Sequence, residues 1–367
     1  MKSFFKSRAH VAVFIAVLAA FFVPVAARAE TIIIGAILTL TGNSATLGSG
    51  VRDGLQLAIE EINKRGGVNG NKIELIVEDS KSDPQAGIVG FNRIEAGRQP
   101  LLYVSNLSSV GMALAPLAEE RRVALVGLAT AALEFTRSRD WVFRYWPLGQ
   151  AYVPPLMRIL RDLKVKKLGI LFQNDEFGKE QRQLLSKEHE GAGGMAASES
   201  IEIKDTDYRQ KISALKDREA IYVACSGTLL LNVLRQLGEA NYRGFILTPT
   251  GTAMPDLFGL PELDGIYIAA PIIYNPNYIY AKDAGEKFEA RYKRPLDQWA
   301  AVGYDFIKLL TGLLEDRQVS RQTVRDMLAG GFEYSGVFGQ VRVKAGEHDL
   351  TFPFFPAQIV NGTLTYR

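Results

Sequence analysis

A chain of 367 residues with 43 Lys and Arg against 40 Asp and Glu is close to neutral, so charge makes no case for nucleic acid or an anionic membrane surface. The small basic excess belongs to the first 29 residues, which contain Lys2, Lys6, Arg8 and Arg28 and no acidic residue. A single cysteine, Cys225, excludes an intrachain disulfide, so stability has to come from a buried core.

The chain opens "MKSFFKSRAHVAVFIAVLAAFFVPVAARAE". A basic start, an apolar run over Val11–Val25 and the small-residue pattern Ala27-Arg28-Ala29 predict a secretory signal peptide over residues 1–29. The apolar run is short for a bilayer span. An exported protein, released by cleavage before Glu30, is therefore expected. The mature chain is long enough for two lobes of about 150 residues each.

Short apolar runs then alternate with amphipathic segments. "TIIIGAIL", "KIELIVED", "LLYVS" and "VALVGLA" read as strands; "VRDGLQLAIEEINKR", "DPQAGIVGFNRIEAG" and "GMALAPLAEERR" have helical spacing. The strands lack polar alternation, as expected when helices cover both faces of a parallel sheet. Gly66 and Gly67 suit the C-terminal cap of the first helix, and Asp83 with Pro84 suits an N-cap followed by the first helical position. A second α/β series begins after "WVFRYWPLG" and runs from "KKLGILFQ" through "DGIYIAAPII". Further helices come at "AKDAGEKFEARYK", "QWAAVGYDFIKLLTGLLED" and "VSRQTVRDMLAG", and then a strand-rich end. The order predicts two doubly wound α/β layers.

The functional question sits in "YVSNLSSVG", residues 103–111, where serines follow a strand and precede a helix. Such serines can be a nucleophile, a phosphate cradle, a carboxylate cradle, or no more than a helix cap. A nucleophile needs a base. Beyond the leader the only histidines are His189 and His348, in the polar contexts "KEHEG" and "GEHDL" that predict solvated side chains. No G-x-S-x-G elbow occurs, and two scattered histidines with one cysteine show no metal-ligand spacing. "LTGNSATLGSG" is glycine-rich but has neither the P-loop Lys-Ser/Thr nor the G-x-G-x-x-G of a dinucleotide fold; it predicts a tight turn where backbone approaches a ligand. Enzymatic chemistry has no constellation to stand on, and no cofactor or metal is implied.

"GAILTLTGNSATLGSGVRDGLQLAIEEINKRGGVNGNKIELIVEDSKSDP" resembles the N-terminal signature of the leucine/isoleucine/valine-binding protein family, the periplasmic components of ABC importers. "FRYWP", "DEFGKE", "GYDFIKLL" and "SGVFGQVRV…GEHDL" extend the likeness along the chain. The resemblance implies two α/β lobes joined by three crossover segments, with ligand in the cleft between them. By analogy lobe 1 is 30–147 plus 275–350, and lobe 2 is 148–274 plus 351–367. It also implies an ABC permease as partner, a small-molecule ligand, and a monomer.

The resemblance further implies that Ser108, with Ser109 beside it, grips the ligand's carboxylate, and that Ala129 and Thr130 lie close to the same end. Three positions depart from the amino-acid binders. Thr250 stands where they carry a glutamate for the ligand's ammonium, Ser226 where an aromatic is common, and Leu47 where the leucine-type binders have an aromatic. A buried ammonium without an acidic partner is costly. Glu176, near a strand mouth, is the acidic residue that could substitute, its alternative being a solvated surface role. Phe177 and Trp299 match residues lining the ligand pocket, while Tyr145 and Trp146 lie at the first crossover and Tyr274 near the second. Together these predict a binding protein for a small organic carboxylate, aromatic or hydrophobic. The alternatives are a leucine-class amino-acid binder and a ligand-sensing receptor module.

Overall fold

A computed structural model describes residues 30–367; the expected signal peptide lies outside the described residues. The first half alternates strand and helix: β1 (Ile32–Leu38), α1 (Ala45–Lys64), β2 (Ile73–Asp79), α2 (Pro84–Arg98), β3 (Leu102–Ser105), α3 (Ser108–Arg121), β4 (Ala124–Gly127) and β5 (Val142–Tyr145). With the short late strand β13 (Asp349–Leu350) they form one sheet in the order β2-β1-β3-β4-β5-β13. Every pairing in it is parallel. Ile34, Leu102, Val104 and Val126 on its strands are buried, as the unbroken apolar runs predict.

The second sheet repeats the plan. After α4 (Val153–Asp162) come β6 (Lys167–Gln173), α5 (Glu176–Gly191), β7 (Met195–Ile201), α6 (Arg209–Ala214), β8 (Ala220–Ala224), α7 (Gly227–Glu239), β9 (Phe245–Thr248) and β10 (Tyr267–Pro271). The order is β7-β6-β8-β9-β10-β14-β15, where β14 (Phe354–Val360) and β15 (Thr363–Tyr366) add antiparallel to the edge. The chain crosses between sheets three times: after β5, after β10 and after β13. Both sheets wind outward in two directions from a first strand, so each has a switch point, between β1 and β3 and between β6 and β8.

After the second crossing come α8 (Ile279–Tyr292), α9 (Gln298–Leu314) and α10 (Arg321–Ala329), then a hairpin of β11 (Phe332–Gly336) and β12 (Gly339–Val343). Helix α9 packs closely on α1, and glycine makes the approach possible. A Cβ on Gly54 would lie 1.8 Å from the Ala300 carbonyl oxygen. Asp305, in the "GYDF" stretch of α9, ties three parts together. It accepts from Tyr145 Oη at 2.7 Å, Tyr334 Oη at 2.6 Å and the Val337 amide at 3.0 Å.

Local signals at the first helices hold. Asp83 Oδ1 accepts from the Ala86 amide at 2.7 Å with Pro84 opening α2, and Gly67 takes φ 85° where its amide donates back to Ile62 O at 2.9 Å. Two expectations are corrected. The glycine-rich segment is only partly a turn: helix α1 begins at Ala45, six residues before Val51, and includes Gly48 and Gly50. A Cβ on Gly48 would stand 2.1 Å from Thr39 O, so the missing side chain serves close helix packing there. The histidines are also less exposed than expected, His189 buried and His348 half-buried. His189 is 3 % exposed with Nε2 3.1 Å from Lys166 O, and His348 stacks on Phe143 at 4.4 Å with Nδ1 3.0 Å from Val142 O. Tertiary packing covers these two rings while their polar neighbours Glu188, Glu190 and Glu347 stay exposed.

Candidate functional site

The carboxyl ends of the strands at the two switch points face one cavity lined from both lobes. From the first lobe, Leu47 follows β1, Leu107 and Ser108 follow β3, and Ala129 follows β4. From the second, Asp175 and Phe177 follow β6, Cys225 and Ser226 follow β8, and Pro249, Thr250 and Gly251 follow β9. Trp299, on the first turn of α9, completes the wall. Seven of the predicted site residues are thus brought together: Leu47, Ser108, Ala129, Phe177, Ser226, Thr250 and Trp299.

Ser108 is 6 % exposed and does not cap its own helix; the N-cap residue is Leu107, at φ 67°, ψ 134°. That left-handed φ is strained for leucine and marks a sharp corner between β3 and α3. The corner turns Ser108 Oγ toward the next loop, where it accepts from the amides of Ala131 and Ala132, both at 3.3 Å. Both lone pairs are then engaged, leaving the hydroxyl proton for donation. Among the described residues no protein acceptor takes it. Helix α3 has no side-chain cap, so its first amides also lack a side-chain acceptor. Asn106 does structural work: its amide group bonds the Thr39 amide at 3.0 Å and Thr39 Oγ1 at 2.7 Å, joining the ends of β1 and β3.

The other predicted residues lie behind this wall. Thr130 is fully buried, 3.4 Å from Leu107 O, and Ser109 is half-buried on the next position of α3; neither lines the cavity. Tyr145 and Trp146 belong to the core. Tyr145 has its hydroxyl on Asp305, while Trp146 Nε1 donates to Tyr152 Oη at 2.9 Å. Trp146 instead backs the pocket, its ring 5.1 Å from that of Trp299 and edge-on to Phe338 and Phe352. Tyr274 donates to Ala253 O and accepts from the Gln298 amide, also outside the lining. Glu176 is exposed on α5 and does not line the cavity; the acidic wall residue is its neighbour Asp175.

Asp175 was missed because its sequence context reads as a helix start, and it is one: Oδ1 accepts from the Gly178 amide at 2.8 Å. Burial pushes its carboxyl up to about 6 against the pull of that bond. Cys225 is buried, and burial pushes its thiol up as well. Trp299 is held by the cap of α9. Asp297 Oδ1 accepts from the amides of Trp299 and Ala300 at 2.8 and 2.9 Å, while Arg294 pairs Oδ2 at 2.7 Å.

The lobes also meet directly at the cleft. Asn43 Oδ1 accepts from the Leu229 amide and Thr228 Oγ1, both at 2.9 Å, and Asn43 Nδ2 donates to Ser226 O at 3.1 Å. Thr250 Oγ1 donates to Gln298 Oε1, and Gln298 Nε2 returns a bond to Thr250 O. The Thr250 hydroxyl proton is therefore committed to the protein. Leu133 N reaches Glu180 Oε2 at 3.3 Å. Among the described residues no group of three or more His, Cys, Asp or Glu is placed to hold a metal ion, and no helix is long and apolar enough to cross a membrane.

Two doubly wound lobes with a cavity between their switch points define a cleft-type ligand-binding protein. The sequence pattern described as periplasmic binding protein matches residues 31–363, and the chain belongs to that family. It is 28% identical over 225 residues to the leucine-, isoleucine-, valine-, threonine- and alanine-binding protein of Pseudomonas aeruginosa, a match spanning 59% of this chain and 60% of that protein. Its fold is that of the branched-chain amino acid transporter substrate binding protein of Streptococcus pneumoniae, solved with isoleucine (TM-score 0.83, 20% identity, covering 91% of this chain and 98% of that one). It is equally that of an ABC transporter solute binding protein from R. palustris, solved with benzoate (TM-score 0.83, 20% identity, 92% and 95%).

Proposed function

We propose that the chain is the exported solute-binding component of an ABC importer and that its lobes, 30–147 with 275–350 and 148–274 with 351–367, close on a small aromatic or hydrophobic carboxylate. The ligand is delivered to a membrane permease, and the protein acts as a monomer without cofactor or catalysis. The observation that carries this reading is Ser108. Its hydroxyl accepts twice from backbone and has only its proton to offer, at the start of a helix whose first amides favour an anion. The remaining wall is apolar at Leu47, Phe177, Pro249 and Trp299, which suits a flat hydrocarbon body. Thr250 supports the same ligand class, because a hydroxyl already bonded to Gln298 replaces the ammonium partner of amino-acid binders.

A leucine-class ligand is the second reading, and Asp175 favours it, since a wall carboxylate can pair with an ammonium. Calorimetric titration of leucine against isocaproate, the same skeleton without its amino group, and of phenylalanine against phenylpropanoate separates the two. The carboxylate reading expects the acids to bind more tightly. Tighter amino acids in both pairs would reverse it.

A further inference from the structure

Asp175 occupies a position that capping alone does not explain. Asn or Ser would cap α5 as well and bring no charge to the cavity wall. Its Oδ1 takes the Gly178 amide at 2.8 Å and its Oδ2 takes Gln173 Nε2 at 2.6 Å. Gln173 Oε1 accepts in turn from the Ser226 amide at 3.3 Å and Ser226 Oγ at 3.2 Å, which fixes the glutamine so that it donates to the carboxylate. Two donors serve a group with about four acceptor sites. Among the described residues no basic side chain forms an ion pair with it. Its charged neighbours are Glu176, which repels, and Lys179, which attracts, with the Cys225 thiol held neutral beside it. A carboxylate kept in an otherwise uncharged wall, at the cost of desolvation, is matched only when something donates to it.

The geometry points to Asp175 as the residue that reads the second polar group of the ligand, accepting a hydrogen bond from an O–H or N–H on a molecule whose carboxylate sits at Ser108. This rests on the carboxylate reading of the Ser108 corner. A ring hydroxyl and an ammonium both supply such a donor; an unsubstituted hydrocarbon acid does not, and a second carboxylate is repelled.

The test is calorimetric titration of the mature chain at neutral pH with two matched pairs, benzoate against para-hydroxybenzoate and isocaproate against leucine. Wild type, Asp175→Asn and Asp175→Ser are compared, both variants keeping a capping side chain and their melting temperatures reporting the fold. The donor-bearing member of at least one pair should bind wild type about 10- to 100-fold more tightly, and both variants should bring that ratio within about threefold. No discrimination in either pair, or discrimination that survives both substitutions, overturns the assignment. Discrimination in the leucine pair alone upholds Asp175 while removing the simple-acid reading of the site. Absence of binding by every carboxylate removes both.

Discussion

The side-chain oxygen of Asn43 lies 2.9 Å from the amide of Leu229, so a residue following β1 of the first lobe caps helix α7 of the second. Ser226, the residue in the N-cap position of α7, makes no side-chain cap bond of its own. Helix starts leave amides without intrahelical partners. Here one of them is satisfied only when the lobes are together, which couples closure to the capping of a helix.

Asn43→Ala should therefore act on closure more than on folding. Losing one cap and its companion bonds to Thr228 and Ser226 costs about 1–2 kcal/mol, or about 5- to 30-fold in affinity. Stopped-flow measurement should place most of the change in faster ligand release. Affinity equal to wild type would show that the bound state does not use this contact.

Gly227 tests the same contact by steric means. It has φ 58°, and a Cβ there would stand 1.9 Å from Asn43 O. Gly227→Ala should fold with a loss of about 1 kcal/mol from its backbone conformation, yet fail to bring the lobes together. Solution scattering should show wild type becoming more compact with saturating ligand and the variant not. Equal compaction in both would count against closure at this face.

Ser108→Ala removes the hydroxyl donor and should weaken a carboxylate ligand by about 1.5–3 kcal/mol. It also strips the acceptor from the Ala131 and Ala132 amides, so ligand-free stability should fall too. Ser108→Thr, which restores an acceptor and a donor, should recover stability. Unchanged affinity in the alanine variant would reduce the serine to a loop brace.

Asp175 gives a stability prediction of unusual sign. Its carboxyl is pushed up to about 6 in the folded protein, above its ordinary value, so the folded state holds a proton that the unfolded state has already released. Stability attributable to this group is full below pH ~4, falls as pH rises through about 6, and stays reduced above, by about 1–3 kcal/mol. Asp175→Asn should match wild type in ligand-free melting temperature near pH 4 and exceed it at pH 7. A variant less stable than wild type at pH 7 would show that the ionised carboxylate is net stabilising.

Helix and strand order was legible in the sequence because burial on both sheet faces writes continuous apolar runs, and helices write the 3.6-residue period between them. The Asp83-Pro84 start and the Gly66-Gly67 stop of the first helices were equally local. The family resemblance singles out Ser108, Phe177 and Thr250, and the strand order explains why they converge, since loops at the carboxyl ends of parallel strands share one edge of a sheet.

Tertiary structure decided what local pattern cannot encode. Tyr145 and Trp146 differ from Trp299 in role only because Asp305 and Tyr152 claim their polar atoms and the core closes over them. Gly48 reads as a turn residue until Thr39 comes against it, and Gly54 as one more position of a helical run until Ala300 arrives from a distant part of the chain. Asp175 reads as an ordinary cap until a second lobe places it in a shared wall, and Asn43 reads as a turn residue until α7 arrives. Sequence dictates which residues repeat along one element. Which of them face another lobe depends on contacts some 180 residues apart along the chain, such as that of Asn43 with Leu229, and no local period carries that information.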